Sequence, residues 1–155
     1  MPYLLDGMNV LHRVERLAEK LDADGPDAAI EALAGEIVRA WPEAAEKVTI
    51  VVDGGGGKFG RRKRASGIEV RMTAEGESGD EVMRSMVEGR PGYYVIVTDD
   101  RRLAASVGKK AVKAMSVKGF FEGVAGKRKK PSGEGGKNSV PDADDVEFWM
   151  KIFGE

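Results

Sequence analysis

The sequence predicts an α/β fold, a three-layer sandwich built on a mostly parallel sheet. Two observations carry that expectation. Short apolar runs alternate along the chain with longer stretches whose apolar residues recur at helical spacing. The central runs, Val48 to Val52 and Tyr93 to Val97, are apolar on both faces, as strands covered on each side by helices must be. A chain of 155 residues, 41% hydrophobic, suffices for one domain with a real core and makes two full domains unexpected.

Taken in order, Tyr3-Leu4-Leu5 reads as a buried strand that ends in Asp6-Gly7. Leu11 to Leu21 and Asp27 to Trp41 carry helical apolar spacing, with Asp24-Gly25-Pro26 between them and Pro42 closing the second. Val48 to Val52 is the next strand, again ended by an acid, Asp53. Four glycines and a basic run to Arg64 follow without periodicity and read as a loop. Ile68 to Met72 alternates strictly, which suits an edge strand with one wet face. A helix is expected from Ser78, a third buried strand at Tyr93 to Val97, then Thr98-Asp99-Asp100. A short helix (Arg102 to Val107), a strand (Ala111 to Met115) and a helical turn at Phe120-Phe121 complete the expected domain, residues 1–125. Residues 126–141, rich in Gly, Lys and Ser, read as a flexible basic linker, and 142–155 as an amphipathic helix capped by Asp142.

Composition removes several classes of function. No apolar stretch approaches the ~18 residues that span a bilayer, and the N-terminus lacks the basic start and apolar core of a secretory signal. Cysteine is absent, which excludes disulfides and thiolate metal sites and fits a cytoplasmic protein. With one histidine, any metal must sit among carboxylates. The net charge of −1 hides segregation: Lys58 to Arg64 holds five cations and no anion, Lys109 to Lys130 eight cations and only Glu122. Such blocks attract a polyanion locally, because fields are screened beyond about 8 Å at physiological salt.

Three apolar strands finish in aspartate, at Asp6, Asp53 and Asp99, and parallel strands share one carboxyl edge, where open α/β folds bind ligands. A fourth acid comes from Ser78-Gly79-Asp80-Glu81. Ser78 and Glu81 match a capping box, whereas Asp80 precedes Met83 and Val87 by three and seven positions, on the inward face of the helix. Carboxylates about 6 Å apart repel by roughly 3 kcal/mol at an effective dielectric near 20. Convergence therefore favours raised pKa values or a bound divalent cation, and an all-oxygen site suits Mg²⁺ or Mn²⁺. Asp53 reads equally as a helix cap, and Asp100 as a cap or a further ligand. Asn9 is a turn residue or one that orients water or phosphate, and His12 reads as a helix residue near the site rather than a base.

Other motifs fail on context. Gly55 to Gly60 matches G-x-G-x-x-G but opens no helical pattern, and Lys58 is followed by Phe59 rather than Ser or Thr. A glycine loop bearing Lys58, Arg61, Arg62, Lys63 and Arg64 beside acids instead suggests a clamp for a phosphate backbone. Phe59 either stacks on a base or packs the loop down.

Four segments in order resemble the NYN domains, closest to the YacP-like branch of that PIN-like nuclease superfamily: Leu4-Leu5-Asp6-Gly7-Met8-Asn9-Val10, Val51-Val52-Asp53-Gly54, Glu75 to Glu81, and Val97-Thr98-Asp99-Asp100-Arg101. The resemblance covers roughly Met1 to Glu122. It implies a five-stranded sheet in the order 3-2-1-4-5, PIN-like, and a metal-dependent ribonuclease with metal-binding acids at Asp6, Asp80 and Asp99 and with Asn9 beside them. Met8 departs from the family, which often has an aromatic there, and so does the glycine stretch after Asp53.

The leading expectation is an endoribonuclease in which Asp6, Asp80 and Asp99 hold Mg²⁺ or Mn²⁺, and Asp53 and Asp100 assist. The cations at Lys58 to Arg64 and at Lys127, Arg128, Lys129 and Lys130 would hold RNA, expected to be single-stranded. A non-catalytic module binding RNA or a ribonucleoprotein such as the ribosome shares the basic loops but predicts no metal response. A phosphoacceptor domain also clusters acids at strand ends, yet gives the basic blocks no use.

Overall fold

The computed structural model describes residues 2–129. Six strands form one sheet, β1 (Tyr3–Asp6), β2 (Val48–Val52), β3 (Arg61–Ala65), β4 (Ile68–Met72), β5 (Val95–Val97) and β6 (Lys113–Met115), in the order β3-β4-β2-β1-β5-β6. All neighbours are parallel except β3 and β4. The five parallel strands keep the expected order, with β1 at their centre.

The sixth strand is the difference. The basic run expected as a loop forms β3, an antiparallel partner that removes β4 from the sheet edge. Ser66 and Gly67 join the two with φ values of 49° and 88°, the positive pair that a two-residue hairpin turn needs. Four consecutive cations conceal a strand from any pattern search, because an outer strand needs only backbone pairing on one side. Charge along such a strand also discourages pairing with another chain.

Helices cover both faces. On one lie α1 (Gly7–Arg13), α2 (Glu15–Asp24), α3 (Pro26–Ala40), the single turn α4 (Ala44–Lys47) and α7 (Val117–Lys129). On the other lie α5 (Gly79–Gly89) and α6 (Arg101–Val107). Strand alternation divides the core accordingly. Leu5, Ile50 and Val97 pack with Leu33, Ile37 and Phe121, whereas Leu4, Val51 and Ile96 pack with Met83, Val87 and Leu103. Tyr3 makes ring contacts with Trp41 and Phe120, at centroid distances of 5.6 and 5.5 Å.

Leu11 to Leu21 is two helices rather than one. Val14 is extended (φ −103°, ψ 109°) and fully buried, so the chain bends there without any glycine or proline to mark it. The helical turn expected at Phe120 is a 13-residue helix that tolerates three glycines, Gly119, Gly123 and Gly126. Residues 126–129 are consequently helical, not the start of a linker. The remainder of the expected linker and the expected helix at 142–155 lie outside the described residues. Among the described residues no helix is long and apolar enough to cross a membrane.

Candidate active site

The carboxyl ends of the parallel strands bring several acids to one edge of the sheet. Asp6 closes β1 and caps α1, its Oδ1 accepting the Asn9 N–H at 3.5 Å. Its Oδ2 accepts the Thr98 hydroxyl at 2.9 Å. Thr98 follows β5, is only 4% exposed, and its Oγ1 also accepts the Asp100 N–H at 3.0 Å. One buried hydroxyl thus joins the ends of β1 and β5. Asp100 caps α6, with Oδ1 accepting from the Arg102 and Leu103 N–H groups at 2.9 and 3.2 Å.

Asp80 arrives from α5. The capping box is complete: Ser78 Oγ accepts the Glu81 N–H and Glu81 Oε1 accepts the Ser78 N–H, each at 3.1 Å. Glu81 is thereby accounted for structurally. Met83 and Val87 are fully buried, and half-buried Asp80 sits on their side of the helix. A Cβ at Gly79 would stand 3.7 Å from both Asp53 Cβ and Val51 Cγ1, so the start of α5 lies against the end of β2.

These acids sense one another. Burial pushes the Asp6 carboxyl above its ordinary value, against the Thr98 and Asn9 hydrogen bonds, and the charges of Asp80 and Asp100 push it further. Burial also raises Asp80, reinforced by Asp100 and then by Asp53 and Glu81, while Arg84 opposes the shift. Asp53 is exposed at the end of β2.

Asp99, expected beside Asp6 and Asp80, points elsewhere. Its Oδ2 pairs with Arg13 Nε at 2.7 Å, its Oδ1 accepts the Val117 N–H at 3.0 Å, and its own N–H donates to Asn9 Oδ1 at 2.8 Å. Successive residues of an extended segment face opposite ways, so Asp99 turns to α1 and α7 and Asp100 to α6. Asp100 is the member of the pair that faces Asp6 and Asp80. Asn9 holds the segment after β5 in place, and His12 is exposed on α1. Among the described residues, no group of three or more His, Cys, Asp or Glu is placed to hold a metal ion as the side chains stand. Beside Asp100, an open cleft of about 390 Å³ is lined by Arg13, Asp99, Arg101 and Ser116.

Alternation in β3 also distributes the cations. Lys63 pairs with Asp27 at the start of α3, while Arg62 stands 3.9 Å from Glu69, whose Oε2 also accepts Arg71 Nε at 3.0 Å. Arg64 donates to the Gly67 carbonyl at 2.8 Å, and Lys58 is exposed on the preceding turn. The glycine segment is seated rather than loose. Gly54 N–H donates to Thr73 Oγ1 at 2.7 Å, Gly56 N–H to the Thr73 carbonyl at 3.0 Å, and Glu75 N–H to the Gly57 carbonyl at 2.9 Å. A Cβ at Gly56 would fall 2.4 Å from the Met72 carbonyl oxygen, so no other residue fits.

Of the cations at 127–130, Lys127 is not brought to this edge. Lys127 Nζ lies 4.6 Å from the Trp41 ring centroid, near the far end of a helix whose first residue, Val117, meets Asp99. At 1.5 Å per residue, ten residues of α7 separate them by about 15 Å. Arg128 and Lys129 belong to the last turn of that helix, and Lys130 lies outside the described residues. Thr98, which joins Asp6 to Asp100, was not among the residues singled out from sequence. A hydroxyl between a strand and two acids is the available signal.

The model of the YacP-like NYN domain family matches residues 3–144. Among solved structures the chain is similar to Rae1 (YacP) from Bacillus subtilis, with a TM-score of 0.63 at 20% identity, over 100% of this chain and 94% of that one. At that identity the likeness concerns the fold. No curated protein matches.

Proposed function

This chain belongs to the YacP-like NYN domain family, and on that footing we propose that it is a metal-dependent endoribonuclease. The observation that carries the reading is the arrival of Asp6, Asp80 and Asp100 from β1, α5 and the cap of α6 at one edge, where the charges of Asp80 and Asp100 raise the Asp6 carboxyl and that of Asp100 raises Asp80. Partly buried carboxylates gathered without histidine or cysteine are a donor set for a hard cation that keeps several waters. Asp6, Asp80 and Asp100 would hold Mg²⁺ or Mn²⁺, with Asp53 adding negative potential. Asp99 is left a positioning role, since it turns to α1 and α7 and its charge is paired with the Arg13 guanidinium. Bound there, the ion would supply a water of lowered pKa and neutralise charge developing at phosphorus.

The chain's own residues do the rest. Thr98 holds the Asp6 and Asp100 segments in fixed relation, which spares reorganisation when substrate arrives. Arg13 and Arg101 line the adjoining cleft, where guanidinium groups suit phosphate oxygens. Arg61 and Arg62 supply backbone contacts on the opposite side of the acids. The cysteine-free composition supports a cytoplasmic setting.

A second reading, a module that binds RNA without cleaving it, is favoured by the absence of a preformed three-ligand metal group among the described residues. Labelled single-stranded RNA and DNA, incubated with protein in Mg²⁺, Mn²⁺ or chelator, separate the two readings. We expect metal-dependent internal cleavage of RNA, abolished in Asp6→Asn with RNA binding retained. Undiminished metal-dependent cleavage by Asp6→Asn would remove the mechanism, and binding without turnover in any metal would favour the second reading. Asp80→Ala controls for a contaminating nuclease.

A further inference from the structure

Phe59 is 91% exposed. It does not pack the glycine loop down. The loop is secured instead by its hydrogen bonds to Thr73 and Glu75, so the ring is held out in water on an anchored turn. Exposing a phenyl ring this fully forfeits the burial of most of its apolar surface. Facing it across a cleft of about 370 Å³ are Val82 and Met86, which stand one turn apart on α5 and are only partly buried. Arg61, Arg62 and Arg71 line the same cleft. Its one acid, Glu77, already accepts the Ala74 N–H at 3.1 Å. The cleft therefore combines an aromatic platform, an apolar wall and an excess of guanidinium groups.

We propose that this cleft is a subsite for one unpaired nucleotide of the RNA strand, its base stacked on Phe59 against Val82 and Met86, its phosphate on Arg61 and Arg62. The proposal deepens the ribonuclease reading and rests on it. The location suits a neighbour of the scissile nucleotide. Met72 and Thr73 end β4 at the carboxyl edge, and β4 lies two strand spacings, about 10 Å, from β1 and Asp6. Stacking suits a site without sequence preference, because every base offers a π face. An anchored aromatic with few rotatable bonds loses little freedom on binding. A peptide would use the apolar wall, but three guanidinium groups against the cleft's one acid, with Arg62 and Arg71 sharing a single carboxylate outside it, leave an excess of positive charge that favours the nucleotide.

The test uses the full chain carrying Asp6→Asn, so that RNA survives, and single-stranded oligoribonucleotides with 2-aminopurine at successive positions. Fluorescence reports stacking and anisotropy reports binding. One position is expected to be quenched severalfold more than the others. Phe59→Ala should abolish that quench and weaken binding about tenfold, within the range that losing one stacked base produces, and Phe59→Trp should restore both. Arg62→Ala should weaken binding and lower the salt dependence by about one ion. The DNA form of the same oligonucleotide tells whether the subsite needs the ribose hydroxyl. Phe59 supports no core, so the variant's circular dichroism should match the parent's. RNA binding whose quench and affinity ignore Phe59→Ala would overturn the subsite, leave the nuclease reading standing, and point to a protein partner for the cleft. No RNA binding at all would take down both.

Discussion

Replacing Thr98 with valine keeps its shape and removes one hydroxyl, which makes it a sharp test of how the acids are held. Thr98 Oγ1 donates to Asp6 Oδ2 at 2.9 Å and accepts the Asp100 N–H at 3.0 Å, in a residue 4% exposed. Losing a hydrogen bond to a charged group costs about 1.5–3 kcal/mol, and an amide left unsatisfied adds about 1 kcal/mol or more. Water reaching Asp6, which is only partly buried, offsets some of that, so about 2–3 kcal/mol is expected. For a domain of this size that is a fall in Tm of roughly 6–12 °C. The effect depends on pH. Burial holds the Asp6 pKa above its ordinary value, and the Thr98 bond opposes that rise. Removing the bond lifts the pKa further. The penalty of Thr98→Val is therefore full above the raised Asp6 pKa and shrinks as pH falls through it, where a protonated carboxyl no longer needs the donor. The acid limb of the cleavage profile should move to higher pH, with turnover down roughly 10–100-fold if both acids lose register. Thermal unfolding from pH 3 to 8 and single-turnover RNA cleavage measure the two effects, and Thr98→Ser should restore both. A valine variant as stable as the parent, with an unmoved acid limb, would refute the bridge.

Asp100→Asn should retain the α6 cap, since asparagine caps well, yet lower RNA cleavage at least about 100-fold, whereas Asp99→Asn should lower it less than about tenfold. Equal losses in a turnover assay would restore Asp99 to the metal site. Asp80→Asn should stabilise the protein slightly at pH 7, by under about 1 kcal/mol for a carboxyl only partly withdrawn from water, and so raise Tm. Its raised pKa means that ionisation opposes folding above that pKa and ceases to do so below the unfolded value near 3.9. The two proteins should accordingly melt together near pH 3, and a gain that persists there would contradict the electrostatic account. Gly7→Ala should destabilise the protein by about 1–3 kcal/mol in urea unfolding, although alanine is the better helix former. Its Cβ would stand 2.8 Å from the Val51 carbonyl oxygen and 2.9 Å from Ile50 Cγ2.

What was readable in the chain follows from which residues face the core. β1, β2, β4 and β5 and their parallel order were legible because apolar runs and an alternating run mark buried strands, and the family resemblance supplied the order. The α5 capping box and the inward side of Asp80 followed from spacing alone. β3 was not legible, because an outer strand of arginine and lysine carries no hydrophobic signature. Nor was the break at Val14, since Val10, Leu11, Val14 and Leu17 would also form one face of a continuous helix. At the site, two adjacent aspartates left the choice between Asp99 and Asp100 to the direction each takes after β5, which depends on where Arg13 and the start of α7 arrive. Those partners come from 86 residues before and 18 residues after, beyond the reach of any local pattern.

The hairpin that carries Arg61 to Arg64 has a second consequence. Among the described residues its outer rim pairs with no other strand, and charge along such a rim discourages pairing with a second copy. The arginines proposed to grip RNA are thus also a guard against self-association. Neutralising several at once removes both services, so a multi-site charge variant must be checked by light scattering before any lost activity is ascribed to substrate.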